Sequence, residues 1–233
     1  SSDPSLRVHC FCHAVPDTWF LMAATLSAGL SLRWWRDVLG LGGNEAYQLL
    51  DAEAEAAGVG AGGILFLPYL LGERSPLMDP ELRGAFVGLT LGHERGHLAR
   101  AIMEGVAFAL RDGLEVLKEL APEPEEVVAS GGAAKSRLWV QIQADVYGLP
   151  MRSVQGQERA AVGAAMLAMI GAGVFSGFEE AREACVRCGP PVLPHTRDAV
   201  MYERLFQQYR SLGLALREEM HFLSEFSRAA RQS

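Results

Sequence analysis

The chain has 233 residues, 49% of them hydrophobic and 21% charged, with a formal net charge of −7 and a pI near 5.4. That length and apolar content suffice for one large α/β domain or two small ones and exclude intrinsic disorder. An acidic balance lacks the basic footprint that a phosphate backbone requires, so nucleic acid is not the expected partner and a small molecule is. No N-terminal stretch combines a basic start, an apolar run and a small-residue cleavage site, and a cytoplasmic protein is expected. The longest apolar run, Ala160–Phe175, is too short for a membrane span. Its Gly and Ala content predicts a helix packed tightly inside the core.

Val8–Ala14 and Trp19–Thr25 read as two strands joined at Pro16-Asp17, a hairpin. In such a strand Cys10 and Cys12 share one face while His9, Phe11 and His13 share the other, which prevents a compact four-ligand zinc set. These two cysteines and the Cys185-x-x-Cys188 pair are expected as buried thiols. Gly29–Leu39 reads as a helix with Leu32, Trp35 and Leu39 on its apolar side and Arg33 and Arg36 elsewhere. A second helix runs from Asn44, a plausible N-cap, to Ala57. The glycine-rich segment Gly58–Gly63 leads into Ile64–Leu67, a buried strand stopped by Pro68.

The loop Gly72-Glu73-Arg74-Ser75-Pro76, followed by Asp79-Pro80 and Arg83-Gly84, has two readings: a substrate-contacting loop or a charge-paired connection. Glu94–Glu119 carries a long scaffold helix. Leu98, Ile102, Gly105, Ala109 and Leu117 follow one face, while Arg100, Glu104, Arg111 and Glu115 follow another with opposite charges four apart. Pro122-Glu123-Pro124 ends it.

Val127–Trp139, VVASGGAAKSRLW, reads as a buried strand that breaks at Gly131-Gly132 and restarts as a helix after Ser136. Between Ser130 and Ala134 no side chain extends much past its β-carbon, so a ligand can meet backbone N–H groups at the start of the helix. A plain chain reversal uses the same residues. Lys135-Ser136 invites comparison with a P-loop, but Ala134 stands where that motif needs glycine and the upstream spacing is wrong. Ser136–Tyr147 is then helical, Met151–Val154 a short strand and Arg159–Ile170 a helix. This alternation predicts α/β layering with a ligand site at the strand ends. Beyond Pro194 a long amphipathic helix begins near Asp198, with a charged tail that frays or packs on a neighbour.

Three blocks in one order, GILFLPYLLGERSPLMDPELRGAFVGLTLGHERGHLARAIMEGVAF, SGGAAKSRLWVQIQADVYGLP and ERAAVGAAMLAMIGAG, resemble the C-terminal half of the FGGY family of carbohydrate kinases. The opening segment HCFCHAVPDTWFLMAATLSAGLSLRWWRD is similar to its xylulose kinase branch. The resemblance covers the chain up to about Pro194. It implies an α/β lobe of the actin-like ATPase (ribonuclease H-like) fold, a mixed sheet flanked by helices. Residues 1–197 are the C-terminal nucleotide-binding lobe and 198–233 its helical extension. It further implies a cytoplasmic enzyme that transfers the γ-phosphate of ATP to D-xylulose with Mg²⁺, with other ketoses, glycerol or gluconate as alternative acceptors.

Carried over residue by residue, the resemblance puts adenosine against Gly131, Gly132 and Ala133, with Ser136 near the adenine. Gly29 and Arg33 match positions that approach the nucleotide from the neighbouring helix. Arg33 departs from the amide of some relatives, and Gly29 serves close helix packing equally well. Family members carry the first phosphate loop, the metal-holding aspartate, the catalytic base and most sugar contacts in a first lobe, upstream of a segment like Ser1–Leu6. The resemblance therefore assigns this chain no catalytic residue and no metal ligand, and Asp145 and Glu158 take structural roles. The expectation is a lobe inactive alone and prone to self-association, homodimerisation included. A stand-alone, non-catalytic regulatory lobe is the alternative. A start at Ser1, without an initiator Met and in the middle of the family pattern, is what a piece of a longer chain would show.

Overall fold

A computed structural model describes residues 3–43, 45–156 and 159–231. The hairpin forms from β1 (His9–Cys12) and β2 (Trp19–Met22), antiparallel with His9 opposite Met22 and Cys12 opposite Trp19. His9, Phe11 and His13 share one face, with Phe11 stacked on Phe20 at 5.5 Å and His13 edge-on to the same ring. The cysteines correct the expectation of burial: all four are free, Cys10, Cys12 and Cys188 are exposed and Cys185 is half-buried. Both faces of the hairpin lack a cover within the described residues, so alternation alone did not tell which face would be inside.

Helix α1 (Ala28–Val38) buries Leu32, with Trp35 and Leu39 packed at the edge of the core. Helix α2 (Glu45–Ala57) buries Ala46, Leu50 and Ala54; the Asn44 cap lies outside the described residues. Strand β3 (Leu65–Leu67) is fully buried and pairs antiparallel with β4 (Ala85–Val87), a strand too short for the sequence pattern to mark.

The long helix α3 (Arg95–Leu120) is capped reciprocally by the Glu94 carboxylate and the His97 ring. It runs through the middle of the molecule. A Cβ at Gly105 would collide with the carbonyl of Phe66 in β3, and one at Gly96 with the carbonyl of Glu53 in α2, so two glycines set the spacing of three elements. The pair Arg100 and Glu104, four apart as expected, lies buried inside the fold. Arg100 Nε donates to Glu104 Oε1 at 2.7 Å, Tyr202 donates to the same oxygen at 2.7 Å, and Arg100 Nη2 donates to the Tyr202 oxygen at 2.6 Å. The Gly60 N–H completes the group at 2.9 Å. Removing one partner from such a buried cluster costs roughly 3–5 kcal/mol, because the remaining charge stays buried.

Strand β5 (Val127–Ala129) pairs parallel with β6 (Met151–Ser153), and between them run a 3₁₀ turn, Ala133–Lys135, and α4 (Arg137–Tyr147). Parallel and antiparallel pairing are thus both present, as three two-stranded sheets. β5 departs from the expectation of a buried strand: Val127 and Ala129 are half-buried and Val128 is 48% exposed. Helix α5 (Arg159–Gly171) overturns a second expectation, since none of its side chains from Ala160 onward is buried and Leu167 is 46% exposed. It packs on α6 (Phe178–Cys185) and stays outside the main core, so its apolar composition records a need for cover that the described residues do not meet. No helix among the described residues is long and apolar enough to cross a membrane.

The terminal region is two helices rather than one, α7 (Thr196–Ala215) and α8 (Arg217–Ala230). Tyr202, Phe206 and Tyr209 of α7 are buried against Phe108 of α3. Asp145 has the structural role expected of it: its carboxylate accepts the His195 N–H at 2.7 Å and holds the start of α7 to α4. Glu158 lies outside the described residues.

The carboxylates of the segment after Gly72 are bonded within the fold. Glu73 is buried and accepts from the Thr25 hydroxyl at 2.7 Å and the Leu26 N–H at 3.1 Å. Asp79, also buried, accepts from Arg217 at 2.7 Å and from His221 at 2.9 Å, and Glu81 pairs with Arg228 at 2.8 Å. Burial alone would raise the Asp79 carboxyl, but the bonds from His221 and Arg217 hold it below its ordinary value. A carboxyl lowered in the fold contributes stability above its unfolded value, near pH 4, and loses it as pH falls through the folded value. Asp79→Asn is therefore expected to cost about 1–3 kcal/mol at pH 7 in urea denaturation. The gap from wild type should close as the pH drops below about 4.

Candidate functional site

β5, the turn after it, α1 and α3 enclose a cavity of about 440 Å³. Its rim is built from residues with little or no side chain: Ala28 and Gly29 at the start of α1, and Ser130, Gly132, Ala133 and Ala134 after β5. Its floor is Val106, Leu110, Gly113, Leu114 and Leu117 of α3. Three of the six expected nucleotide residues, Gly29, Gly132 and Ala133, come from chain segments a hundred residues apart and meet at this one cavity.

The turn has a clear local cause. Gly131 takes φ of +85°, a left-handed conformation that costs a side-chain residue about 1–2 kcal/mol, whereas Gly132 is right-handed at φ of −63°. A Cβ added at either would meet nothing within 4 Å, so the main chain of the turn lies open on that side. Ser136 stops the 3₁₀ turn and caps α4, its hydroxyl oxygen accepting the Trp139 N–H at 3.0 Å. Burial raises the Asp51 carboxyl, and a hydrogen bond with the Ser136 side chain draws it back. The Ser136 hydroxyl oxygen is thus already engaged in capping α4. Trp139, at the other end of this cap, is buried and donates its ring N–H to the Met103 carbonyl at 3.0 Å.

Gly29 is on the rim with open space around it, so close helix packing does not account for it. Arg33, one turn on, does not line the cavity; its side chain is 63% exposed and sits 4.0 Å from Asp37. Gly131 shapes the turn from outside the lining. One lining residue, Ser75, was not assigned by sequence reasoning, and a second, Ser27, lies next to the rim without lining the cavity. Ser75, on the connection after Gly72, lines the cavity, is buried, and its hydroxyl has no hydrogen-bond partner. Ser27 occupies the N-cap position of α1, also buried, with a hydroxyl that caps nothing. Their only sequence signal was proximity: Ser27 precedes the helix start and Ser75 sits in the polar centre of a loop between apolar flanks.

A helix N-terminus, open turn amides and an unpaired hydroxyl make a surface of hydrogen-bond donors without bulk, suited to a ligand carrying anionic oxygens and a flat ring. Among the described residues no Asp, Glu, His or Cys lines the cavity, so the lining offers no carboxylate to a metal ion and no general base. The one cluster of potential metal-ligand atoms among the described residues, Asp145, His195 and Asp198, lies elsewhere, at the start of α7.

Comparison with known proteins identifies the lineage. The C-terminal domain of the FGGY family of carbohydrate kinases matches residues 1–172. The xylulose kinase of Bacillus subtilis (strain 168) is 37% identical over 206 residues, covering 88% of this chain and 41% of that protein. The crystal structure of xylulose kinase from Rhodospirillum rubrum superposes with a TM-score of 0.81 at 37% identity, over 94% of this chain and 44% of that one. A gluconate kinase structure from Lactobacillus acidophilus gives a TM-score of 0.82 at 30% identity, over 93% and 43%. The chain thus spans less than half the length of these relatives, and its fold is that of their actin-like ATPase lobes. This chain belongs to the FGGY family of carbohydrate kinases, as its C-terminal domain.

Proposed function

We propose that this chain is the nucleotide-binding lobe of a cytoplasmic, ATP-dependent kinase that phosphorylates D-xylulose, giving D-xylulose 5-phosphate. Residues 1–197 form the lobe and 198–233 its helical extension. The observation that carries the reading is the convergence of Gly29, Gly132 and Ala133, with the start of α1, on one cavity rim. In this reading the adenosine lies across Gly131, Gly132 and Ala133. The amides at the start of α1 and the Ser75 hydroxyl face the phosphates. Ser136 acts chiefly by fixing the turn, and Arg33 reaches the nucleotide only by swinging from its exposed position.

ATP supplies the transferred phosphoryl group, and transfer to a sugar hydroxyl needs a carboxylate-held Mg²⁺ and a base on that hydroxyl. The cavity lining offers neither, so both come from the part of the protein outside these residues, together with most sugar contacts. The sugar assignment follows the xylulose kinase relatives; the similarity to a gluconate kinase makes gluconate the second acceptor to test. The intact protein is expected to phosphorylate D-xylulose in preference to gluconate in an ADP-release assay, while residues 1–233 alone turn over neither. Turnover by the isolated lobe would overturn the division of labour.

Gly132→Val places a side chain on the open face of a right-handed residue. ADP affinity by calorimetry is expected to fall at least about tenfold, with a stability change under about 1 kcal/mol. Gly131→Ala should instead cost about 1–2 kcal/mol of stability through its left-handed backbone. The exposed apolar side chains Phe222, Leu223 and Phe226 of α8 favour self-association of the lobe. Light scattering is expected to show a mass above the monomer, and a strict monomer would exclude it.

A further inference from the structure

Away from the glycine rim, the junction of α4 and α7 gathers three side chains with metal-ligating atoms: Asp145 of α4, His195 at the N-cap position of α7 and Asp198 in its first turn. One ligand atom from each lies within 4.8 Å of the other two. Asp145 is the fixed member. Its side chain is only 3% exposed, and its Oδ1 is fully used, accepting the His195 N–H at 2.7 Å and the Gln141 amide at 2.9 Å. Gln141 is held in turn by the Leu193 carbonyl at 3.0 Å. Oδ2 is left with the His195 ring alone, at 3.4 Å.

The charges in this group do not balance. Among the described residues neither carboxylate has a Lys or Arg partner, and the only ion-pair partner of each is the His195 ring. The N-terminus of α7 offers about half a positive charge against the two. The ring does not serve both. Its Nδ1 carries at most one hydrogen. The separations, 3.4 Å to Asp145 Oδ2 and 3.6 Å to Asp198 Oδ2, exceed the charge-assisted hydrogen-bond length of about 2.7–2.9 Å. They fit a different arrangement: nitrogen and oxygen ligands about 2.0–2.2 Å from a tetrahedral ion lie about 3.3–3.5 Å from one another.

We propose that Asp145, His195 and Asp198 bind a divalent transition-metal ion of the zinc type, which staples the start of α7 to α4. Each carboxylate gives one oxygen and the ring its Nδ1. Water takes the remaining position on the open side, where the ring is 61% exposed. One imidazole with two carboxylates suits Zn²⁺ or a neighbouring first-row ion, whereas Mg²⁺ and Ca²⁺ prefer oxygen sets. Gln141 and the His195 N–H are the outer partners that orient the Asp145 carboxylate. None of the three ligands lines the nucleotide cavity, so this site stands or falls independently of the glycine rim.

Co²⁺ is the probe, because its spectrum reports the ligands and because the exposed Cys10, Cys12 and Cys188 also attract zinc. Added to the chelator-treated intact protein, it is expected to give the visible bands of a nitrogen and oxygen site without the near-ultraviolet charge transfer of a thiolate. Binding should saturate at about one ion per chain and raise the Tm. His195→Ala and Asp198→Asn remove an exposed and a half-buried ligand, which leaves the fold in place. Each should weaken Co²⁺ binding at least about tenfold and abolish the gain in Tm. No saturable binding below about 1 mM, a thiolate spectrum, or equal binding by the wild type and both variants overturns the proposal and leaves His195 as the sole side-chain countercharge.

Discussion

The close approach of α3 to β3 is the constraint on which the rest of this lobe depends. With no side chain at Gly105, helix backbone lies directly against the Phe66 carbonyl, and with none at Gly96 the same helix meets the backbone of α2. An alanine at Gly105 would push α3 off the strand, and everything attached to α3 would move with it. What is attached is considerable. The buried Arg100–Glu104 pair fixes α7 through Tyr202 and the glycine loop through Gly60, Trp139 hangs α4 from the Met103 carbonyl, and the leucine stripe floors the cavity.

Around this axis the molecule is satisfied on one side and open on the other. Toward α2, β3, α4 and α7 the helix meets a dense core, and the polar groups that enter it are mostly paired. Toward β5 and the hairpin it meets an exposed Val128 and half-covered leucines. The apolar helix α5, outside the main core and with no buried side chain from Ala160 onward, belongs to the same imbalance. The glycine amides stand at the rim of a half-covered apolar cavity whose lining, among the described residues, includes no carboxylate.

The sequence carried the local physics well and the partnerships poorly. Glycines at Gly131 and Gly132 between a strand and a capped helix are read from residue types alone, and the turn, the Ser136 cap and the left-handed Gly131 follow. The alternation of His9, Phe11 and His13 likewise gave the faces of the hairpin correctly. Burial was misjudged at Cys10 and Cys12, at Val128 and along α5 from Ala160 onward, whose small or apolar side chains are at most half-buried among the described residues. At Arg100 and Glu104 the spacing of four was legible, but the Tyr202 hydroxyl that makes their burial tolerable comes from about a hundred residues away. Ser75 entered the cavity lining through the same kind of long-range closure, which a linear pattern does not encode.

The central claim is that the glycine rim holds a nucleotide. Titrating the ¹⁵N-labelled lobe with ADP and following backbone amides tests it most directly. The account predicts that Gly29, Gly132 and Ala133, distant in sequence, shift together and saturate with one dissociation constant. Shifts confined to other surfaces, or none at these three amides at concentrations that saturate the intact protein, would contradict it.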